Sequence, residues 1–152
     1  MTKFLIASHG KLAEGLYDTF VMVMGKNENL SFFGAYTKAE EDMEESVRKY
    51  VDGIKEGDEL IVLTDVFGGS VNNEFMKYLS KSNIHLIAGV NLPLLFELIM
   101  NLESENTALL IEMVTDSEPD IAKRIQVITD RASQFVWDCN SMKLDNNEMD
   151  AF

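Results

Sequence analysis

The sequence contains a single cysteine, no long apolar run and few basic residues. Cys139 alone cannot form an intrachain disulfide or a cysteine-based metal cluster, which fits a reducing cytoplasm. No apolar stretch approaches the roughly 18–20 residues that a membrane-spanning helix needs. The apolar run over residues 4–7 is shorter than the roughly 7–15 apolar residues of a signal peptide. We therefore expect a cytoplasmic protein without a transmembrane segment.

Basic side chains are half as numerous as acidic ones. The 152 residues include 13 Lys and Arg against 26 Asp and Glu, a formal net charge of −13. This deficit argues against binding to nucleic acid or to anionic membranes, because both require basic surface to neutralise phosphates. A protein partner should present basic or apolar surface at the contact. The length and the 46 % apolar content suit one domain with a sizeable core.

Short apolar runs alternate four times with amphipathic stretches, which predicts four strands and the helices between them. The predicted strands are residues 3–8, 30–35, 59–64 and 84–88, and the predicted helices are residues 12–24, 37–54, 72–79, 93–99 and 107–115. Alternation with short connections indicates right-handed βαβ units. We therefore predict a single-domain α/β fold with a parallel sheet in the order 2-1-3-4 and helices on both faces.

Local signals predict how three of the helices begin or pack. Residues 37–40, Thr-Lys-Ala-Glu, form a capping box that predicts the start of the second helix. The apolar spacing predicts which side chains two helices bury. In the first helix these are Leu12, Leu16, Phe20 and Val23, and in the third they are Phe75, Met76 and Leu79.

The C-terminal part permits two interpretations. Residues 125–129 alternate imperfectly, as a strand would, and a helix over residues 120–135 fits the pattern nearly as well. From residue 138 the side chains are polar and acidic, which predicts a frayed tail. We expect a folded domain over residues 1–130 and an acidic C-terminal extension over residues 131–152.

A histidine and an aspartate each follow a predicted strand. His9 follows the first strand and Asp65 follows the third. In open parallel sheets, ligands bind beyond the carboxyl ends of the strands, where the direction of winding reverses. With the strand order 2-1-3-4, His9 and Asp65 become neighbours at this edge. The pattern therefore predicts a site built on these two residues.

This pair suits phosphoryl transfer without a metal or a cofactor. A carboxylate that accepts the Nδ1 proton of His9 fixes its tautomer and leaves Nε2 as the nucleophile. In the loop after Asp65, the backbone N–H groups of Gly68, Gly69 and Ser70 can hold phosphoryl oxygens, and the Ser70 hydroxyl can donate one more hydrogen bond. The sequence has no glycine–lysine phosphate-binding motif and no plausible carboxylate cluster for magnesium at this site.

Other interpretations of these residues stay open. Ser70, His9 and Asp65 could form a hydrolase triad, although Ser70 lacks the Gly-x-Ser-x-Gly turn of such enzymes. Asp65 could be the phosphorylated residue of a receiver-type regulatory domain, but receivers need an acidic pair where this chain has Ser8 and His9. A passive flavin or nucleotide binder is a further alternative, for which the loops show no aromatic stacking pair.

Three segments resemble the EIIA component of the mannose-type sugar phosphotransferase system (PTS). They are FLIASHG over residues 4–10, TDVFGGSVN over residues 64–72 and IAGVNLP over residues 87–93, in that family's order and spacing. The resemblance covers about residues 2–115. It implies a cytoplasmic phosphocarrier that accepts a phosphoryl group from the phosphocarrier protein HPr and passes it to EIIB. EIIB then phosphorylates the sugar that enters through the membrane components EIIC and EIID.

The resemblance also implies roles for single residues. By matching motif, His9 is the phosphorylation site, Asp65 is its hydrogen-bond partner, and the phosphate loop is formed by Gly68, Gly69 and Ser70. Apolar residues near the predicted site are candidates for the partner-binding face. They are Phe67, Leu92 and Leu95.

The resemblance also implies how the protein assembles, and the sequence departs from the family in two ways. Members of the family are homodimers in which a C-terminal strand crosses to the other subunit's sheet, which favours a strand at residues 125–129. Val71 stands where the family usually has proline, and we expect a slightly less rigid but functional loop. No EIIB domain follows, so we expect a separate EIIA subunit.

Overall fold

A computed structural model describes residues 1–102 and 121–135, in which strands and helices alternate along the chain. The strands are β1 (Thr2–His9), β2 (Leu30–Ala35), β3 (Glu59–Thr64) and β4 (Ile84–Ala88). The helices are α1 (Leu12–Met24), α2 (Met43–Asp52), α3 (Ser70–Met76), α4 (Leu92–Leu102) and α5 (Ile121–Ala132), and a 3-10 turn, Ser133–Phe135, follows α5. The helix predicted over residues 107–115 lies outside the described residues.

The four strands form one parallel sheet in the order β2-β1-β3-β4, which confirms the predicted topology. Strand β1 lies between its two partners: His9 pairs with Ala35 of β2, and Ala7 pairs with Thr64 of β3. The carboxyl ends of β1 and β3 therefore lie side by side. This register brings Asp65, the first residue after β3, next to the end of β1.

Strand β1 is buried on both faces of the sheet, which explains its continuous apolar run. Phe4 and Ile6 pack on one face in a cluster with side chains of α1, α4 and α5. Leu5 and Ala7 pack on the opposite face with side chains of α2 and α3. Because successive residues of a strand point to opposite faces, one uninterrupted apolar segment supplies both cores.

Helix α1 buries only part of the predicted stripe, in which Leu16 and Phe20 pack on the core as predicted. Leu12 and Val23 are 49 % and 61 % exposed, so their predicted burial is wrong. Ala13 is fully buried because its backbone N–H donates to the Ser8 hydroxyl at 2.7 Å, which draws the first turn against the sheet. The side chains that α1 packs on the core are those of Ala13, Leu16, Tyr17 and Phe20.

Helix α2 begins later than predicted. Thr37 does not cap it, because the Thr37 hydroxyl donates to the carbonyl oxygen of Gly34 at 2.8 Å. The helix starts at Met43, where the Asp42 side chain accepts the backbone N–H of Glu45 at 3.2 Å. Asp is as favourable an N-cap residue as Thr, so a capping-box pattern alone does not determine where the helix starts.

Helix α3 begins earlier and ends earlier than predicted, at Ser70 and Met76. Its buried side chains include Val71 and Phe75. Met76 is 47 % exposed and Leu79 lies beyond the helix at 42 % exposure, so the predicted burial of these two side chains is wrong. Val71 and Phe75 lie one helical turn apart on the buried face of α3, and Met76 lies off that face.

Residues 125–129 lie inside α5, so the helical alternative is correct and the strand favoured by the resemblance is wrong for this segment. Ile125 and Ile128 are 9 % and 1 % exposed and pack in the cluster with α1 and α4. The Arg124 guanidinium donates to the carbonyl oxygen of Asn101 at 2.7 Å. Burial at a spacing of three residues fits a helix and not a strand. The helix also continues past residue 130, where the sequence placed the end of the folded domain.

Candidate functional site

His9 and Asp65 meet at the carboxyl edge of the sheet. His9 Nδ1 lies 2.8 Å from Asp65 Oδ2, and the backbone N–H of His9 donates to the same oxygen at 2.9 Å. The other carboxylate oxygen, Oδ1, accepts the backbone N–H of Val66 at 2.9 Å. One carboxylate therefore holds the end of β1, the imidazole ring and the start of its own loop.

The environment of Asp65 determines which nitrogen of His9 carries the proton. Burial raises the pKa of Asp65, but hydrogen bonds from the His9 backbone and ring and from Val66 outweigh it, so the pKa lies below its ordinary value of 3.8. Asp65 is thus ionised at neutral pH and can only accept hydrogen bonds. A neutral His9 must therefore carry its proton on Nδ1, which leaves the lone pair on Nε2.

The Nε2 side of the ring faces two hydroxyl groups. The Ser70 hydroxyl oxygen lies 3.0 Å from His9 Nε2, and the Tyr36 hydroxyl lies 2.9 Å from that oxygen. The Tyr36 ring stacks on the imidazole, with centroids 5.9 Å apart and planes inclined by 23°. His9 is 40 % exposed and Asp65 only 9 % exposed at the side chain, so Nε2 lies on the accessible side of the pair.

The two glycines of the loop shape it in different ways. Gly68 adopts φ +76°, a region that favours glycine, and its N–H donates to the Asn72 side chain at 3.1 Å. The N–H of Gly69 donates to the carbonyl oxygen of Val66 at 3.1 Å. Two of the three backbone donors that the sequence assigned to a phosphate, the N–H groups of Gly68 and Gly69, are therefore used within the loop. A Cβ at Gly69 would lie 3.0 Å from Cε1 of His9, so glycine permits the close approach of backbone and ring.

Sequence reasoning gave no role to three residues that support this arrangement: Thr64, Asn72 and Tyr36. Asn72 is 2 % exposed, and its side-chain nitrogen donates to the Thr64 hydroxyl at 3.0 Å while its oxygen accepts from Gly68. Tyr36 contacts both Ser70 and His9. A signal for Tyr36 existed, because it directly follows β2, whose carboxyl end lies beside that of β1.

Val71, which replaces the family's usual proline, is fully buried at the second position of α3. It packs with the α2 and α3 cluster. The first N–H groups of a helix have no acceptor within that helix, so proline would cost no intrahelical hydrogen bond here. The position therefore accepts either residue, and valine fills the core.

The residues expected to form a contact face are separated by the structure. Phe67 is 80 % exposed in the loop after Asp65, and its neighbour Val66 is 56 % exposed. Leu95 is fully buried and Leu92 packs against the core, so Leu95 is a core residue and is not available to a partner. Exposed apolar side chains thus remain at Val66 and Phe67, which directly follow Asp65 in the chain.

Features outside this site are of other kinds. His85 lies in β4, where its side chain is largely buried and its Nε2 lies 2.7 Å from Glu59 Oε2, so it is a packed sheet histidine. Among the residues that the structure describes, no group of three or more His, Cys, Asp or Glu side chains could hold a metal ion. None of the described helices is long and apolar enough to cross a membrane.

A protein-family model identifies the family. The EIIA-man model, described as the PTS system fructose IIA component, matches residues 3–115. The chain belongs to this family. It is therefore an EIIA component of the mannose-type PTS, and its general role is that of a phosphocarrier in sugar phosphotransfer.

Individual relatives agree with this assignment. The EIIA chain is 28 % identical over 102 residues to the fructose-specific EIIA component of Bacillus subtilis, covering 65 % of this chain and 69 % of the relative. It is 32 % identical over 100 residues to the mannose-specific EIIAB component of Escherichia coli K12, covering 63 % of this chain. The match spans only 30 % of that E. coli protein.

A solved structure shares nearly the whole fold. It is a Klebsiella pneumoniae protein provisionally described as a phosphoenolpyruvate-dependent sugar PTS permease, with a TM-score of 0.77 and 34 % identity. The similarity covers 92 % of each chain. The α/β architecture described above is therefore shared with a protein ascribed to the same transport system.

Proposed function

We propose that this EIIA chain accepts a phosphoryl group from phospho-HPr on Nε2 of His9 and passes it to EIIB. The observation that carries the proposal is the 2.8 Å contact between His9 Nδ1 and Asp65, which leaves the Nε2 lone pair on the accessible side of the ring. Family membership supplies the class of reaction. The assignment of the residues rests on their geometry.

The transfer needs no proton to enter or leave His9. The Nε2 lone pair attacks phosphorus in line with the P–N bond of the donor phosphohistidine, and that bond breaks with its electron pair left on the donor's imidazole. His9 keeps its proton on Nδ1, so positive charge develops on the ring. The Asp65 carboxylate stabilises that charge at 2.8 Å. In the second transfer His9 is the leaving group: a nucleophile of EIIB attacks phosphorus in line, and the P–N bond breaks with its electron pair returning to Nε2 of His9.

The loop after Asp65 is the proposed phosphate loop. The Ser70 hydroxyl lies 3.0 Å from Nε2, close to where oxygens of a phosphoryl group on that atom would lie, and it can donate to one of them. Gly69 lets the backbone approach the ring, and Gly68 shapes the turn. Their N–H groups would serve as phosphate donors only after releasing Val66 and Asn72.

Partners would approach over the exposed side of His9. The apolar side chains of Val66 and Phe67 lie next to Asp65 and offer a contact surface for HPr and EIIB in turn. This exchange would take place in the cytoplasm, and the membrane components EIIC and EIID would be reached only through EIIB.

We also propose a homodimer, for which light scattering should give about twice the chain mass of 17.2 kDa.

Reconstitution with phosphoenolpyruvate, enzyme I and HPr tests the phosphorylation of His9. We expect the native chain to gain the mass of one phosphoryl group, and His9→Gln and His9→Ala to gain none. His85→Gln is the matched control, because it changes the other histidine, and it should be phosphorylated like the native chain. Phosphorylation that persists in both His9 variants would show that another residue carries the group.

Asp65 is a poor phosphoacceptor in this structure, which weighs against the receiver-type alternative. Both of its carboxylate oxygens accept hydrogen bonds, from His9 and from Val66. Chemical stability separates the two assignments. Phosphohistidine survives alkali and is lost in acid, whereas hydroxylamine cleaves an acyl phosphate on aspartate.

A hydrolase is the second candidate, because Ser70, His9 and Asp65 follow the contact order of a catalytic triad. The Ser70 oxygen lies 3.0 Å from His9 Nε2, and His9 Nδ1 lies 2.8 Å from Asp65. A fluorophosphonate probe that reacts with activated serines should label Ser70 if the chain is a hydrolase. The proposed phosphocarrier should remain unlabelled.

A further inference from the structure

The hydrogen bonds around His9 can point in only one direction. Asp65 is ionised and accepts from Nδ1, so Nε2 of a neutral His9 must be an acceptor. Ser70 therefore donates its only hydroxyl proton to Nε2 at 3.0 Å. The Ser70 oxygen must then accept the bond from the Tyr36 hydroxyl at 2.9 Å. Tyr36 is the outer donor of a chain that ends at Asp65.

This direction creates a conflict with phosphorylation. The Ser70 hydroxyl occupies the same lone pair of Nε2 that must attack phosphorus. While Nε2 of His9 accepts the hydrogen bond from the Ser70 hydroxyl, that lone pair is not available for a new bond. Ser70 must therefore turn its O–H away from Nε2, and an oxygen of the arriving phosphoryl group is an acceptor close to it. The bond from Tyr36 to the Ser70 oxygen can persist during this turn, because it does not use the Ser70 proton.

Tyr36 is held in an unusual backbone conformation. Its φ of +63° lies in the left-handed region, where residues other than glycine are uncommon. Such conformations persist where the surrounding structure requires them, and they cluster at functional sites. The side chain is 65 % exposed, so burial does not explain its position, and yet its ring stacks on His9. The backbone conformation and the stacked ring thus both direct Tyr36 to the site.

We propose that Tyr36 is a positioning residue for phosphoryl transfer, and this inference rests on the proposed phosphorylation of His9. Its hydroxyl holds the Ser70 oxygen while Ser70 redirects its O–H from Nε2 to a phosphoryl oxygen. Its ring stacks on the imidazole and holds it in the orientation in which Nε2 faces the phosphoryl donor. No covalent bond to Tyr36 or Ser70 forms or breaks, and each keeps its proton, so only the acceptor of one hydrogen bond changes.

Tyr36→Phe tests this role, because it removes the hydroxyl and keeps the ring. With phospho-HPr as donor, we expect kcat for loading to fall about threefold to tenfold with KM unchanged, as for the loss of one hydrogen bond. The half-life of the loaded protein after donor removal should shorten by a similar factor. Tyr17→Phe is the matched control, since Tyr17 packs against Phe32, and it should behave like the native chain.

A double-mutant cycle with Ser70→Ala tests the path of the effect. Because Tyr36 acts through Ser70, the double variant should be no slower than Ser70→Ala alone. If the double variant instead loses rate by the product of the two single-variant factors, Tyr36 does not act through Ser70. If the native chain is phosphorylated, and Tyr36→Phe is phosphorylated and loses the phosphoryl group at the same rates, the inference is overturned and the proposed function stays intact. A native chain that gains no phosphoryl group, or gains it without His9, would overturn both.

Tyr36→Asn separates positioning from a structural role. Asparagine tolerates the left-handed region better than tyrosine, so the variant should fold with a melting midpoint at or above that of the native chain. We expect it to lose kcat for loading at least as strongly as Tyr36→Phe. Loss of kcat that is matched by a fall in the melting midpoint would instead assign Tyr36 a structural role.

Discussion

One oxygen of Asp65 receives two hydrogen bonds from His9, one from the backbone and one from the ring. The first ties the end of β1 to the loop after β3, and the second fixes the tautomer. The same contact therefore contributes to stability and to the proposed chemistry. A substitution at Asp65 should affect both, and pH separates the two contributions.

Asp65→Asn should destabilise the fold in a pH-dependent way. Because the folded pKa of Asp65 lies below 3.8, its ionised form contributes stability fully above that value, and the contribution is lost as pH falls through the lower folded pKa. We expect the variant to lose about 1–3 kcal/mol of unfolding free energy at pH 7. Urea titrations from pH 7 to pH 2 should show this difference shrinking. A difference that stays constant with pH would contradict the assignment.

Gly69→Ala should impair phosphorylation more than folding. The new Cβ would lie 3.0 Å from Cε1 of His9 and 3.2 Å from the carbonyl oxygen of Val66, while the φ of −67° at this position is one that alanine adopts readily. We expect the loading rate to fall about tenfold or more, because the ring must shift, with a smaller effect on the melting midpoint, because the Val66 carbonyl oxygen must move only slightly. In Gly15→Ala the Cβ meets nothing within 4 Å, so this control should load normally. Normal loading by Gly69→Ala would show that the close approach is dispensable.

At the scale of elements, α5 shows how tertiary packing resolves an ambiguous pattern. A strand over residues 125–129 would place alternate side chains on one face, whereas a helix places residues 125, 128 and 132 together. The structure buries Ile125, Ile128 and Ala132 against the cluster with α1 and α4. The apolar surface of α4 thus packs against one face of a helix, and residues 125–129 form part of that helix.

Alanine substitutions at adjacent positions distinguish these two arrangements. Ile128 is 1 % exposed, so Ile128→Ala should cost about 2–5 kcal/mol of unfolding free energy. Thr129 donates its hydroxyl to the carbonyl oxygen of Ile125 within the helix at 2.7 Å, so Thr129→Ala should cost less than about 1 kcal/mol. Thermal or urea unfolding measures both. A larger loss at Thr129 than at Ile128 would indicate the strand arrangement.

At the scale of the whole molecule, the net charge of −13 acts on every partner that approaches. The site itself offers the Asp65 carboxylate, the hydroxyl groups of Ser70 and Tyr36, and the exposed apolar segment over residues 66–67. A phosphoryl group delivered on a protein can be accompanied by basic surface that offsets this field. The same field should slow the approach of a small anionic phosphoryl donor.

Ionic strength should therefore affect two donors in opposite directions. With phospho-HPr, we expect kcat/KM for loading to fall about tenfold between 50 mM and 500 mM salt, because salt screens the attraction to a basic contact surface. With phosphoramidate, a small anionic donor, the loading rate should stay constant or rise. Stopped-flow or quenched mass measurements follow both reactions. A salt-independent rate with phospho-HPr would show that apolar contact alone guides docking.

Local patterns in the sequence were sufficient for the sheet and for the central pair. The apolar runs determined four parallel strands in the order 2-1-3-4, because a strand buried on both faces has few alternatives. That order alone brings His9 and Asp65 to one edge of the sheet. Their contact was predictable because His9 is the last residue of β1 and Asp65 directly follows β3, so strand register leaves the two side chains little freedom.

Only the tertiary structure decided the remaining parts of the site. The bond between Tyr36 and Ser70 joins residues 34 positions apart, and it depends on a left-handed turn that no local preference of tyrosine predicts. The close passage of Gly69 past His9 likewise depends on how two loops pack. Weak local preferences are overridden by such packing, so the helix boundaries and the positions of the hydroxyl groups around Nε2 could be read only from the folded chain. The contact between the histidine and its carboxylate, in contrast, follows from the order of the strands.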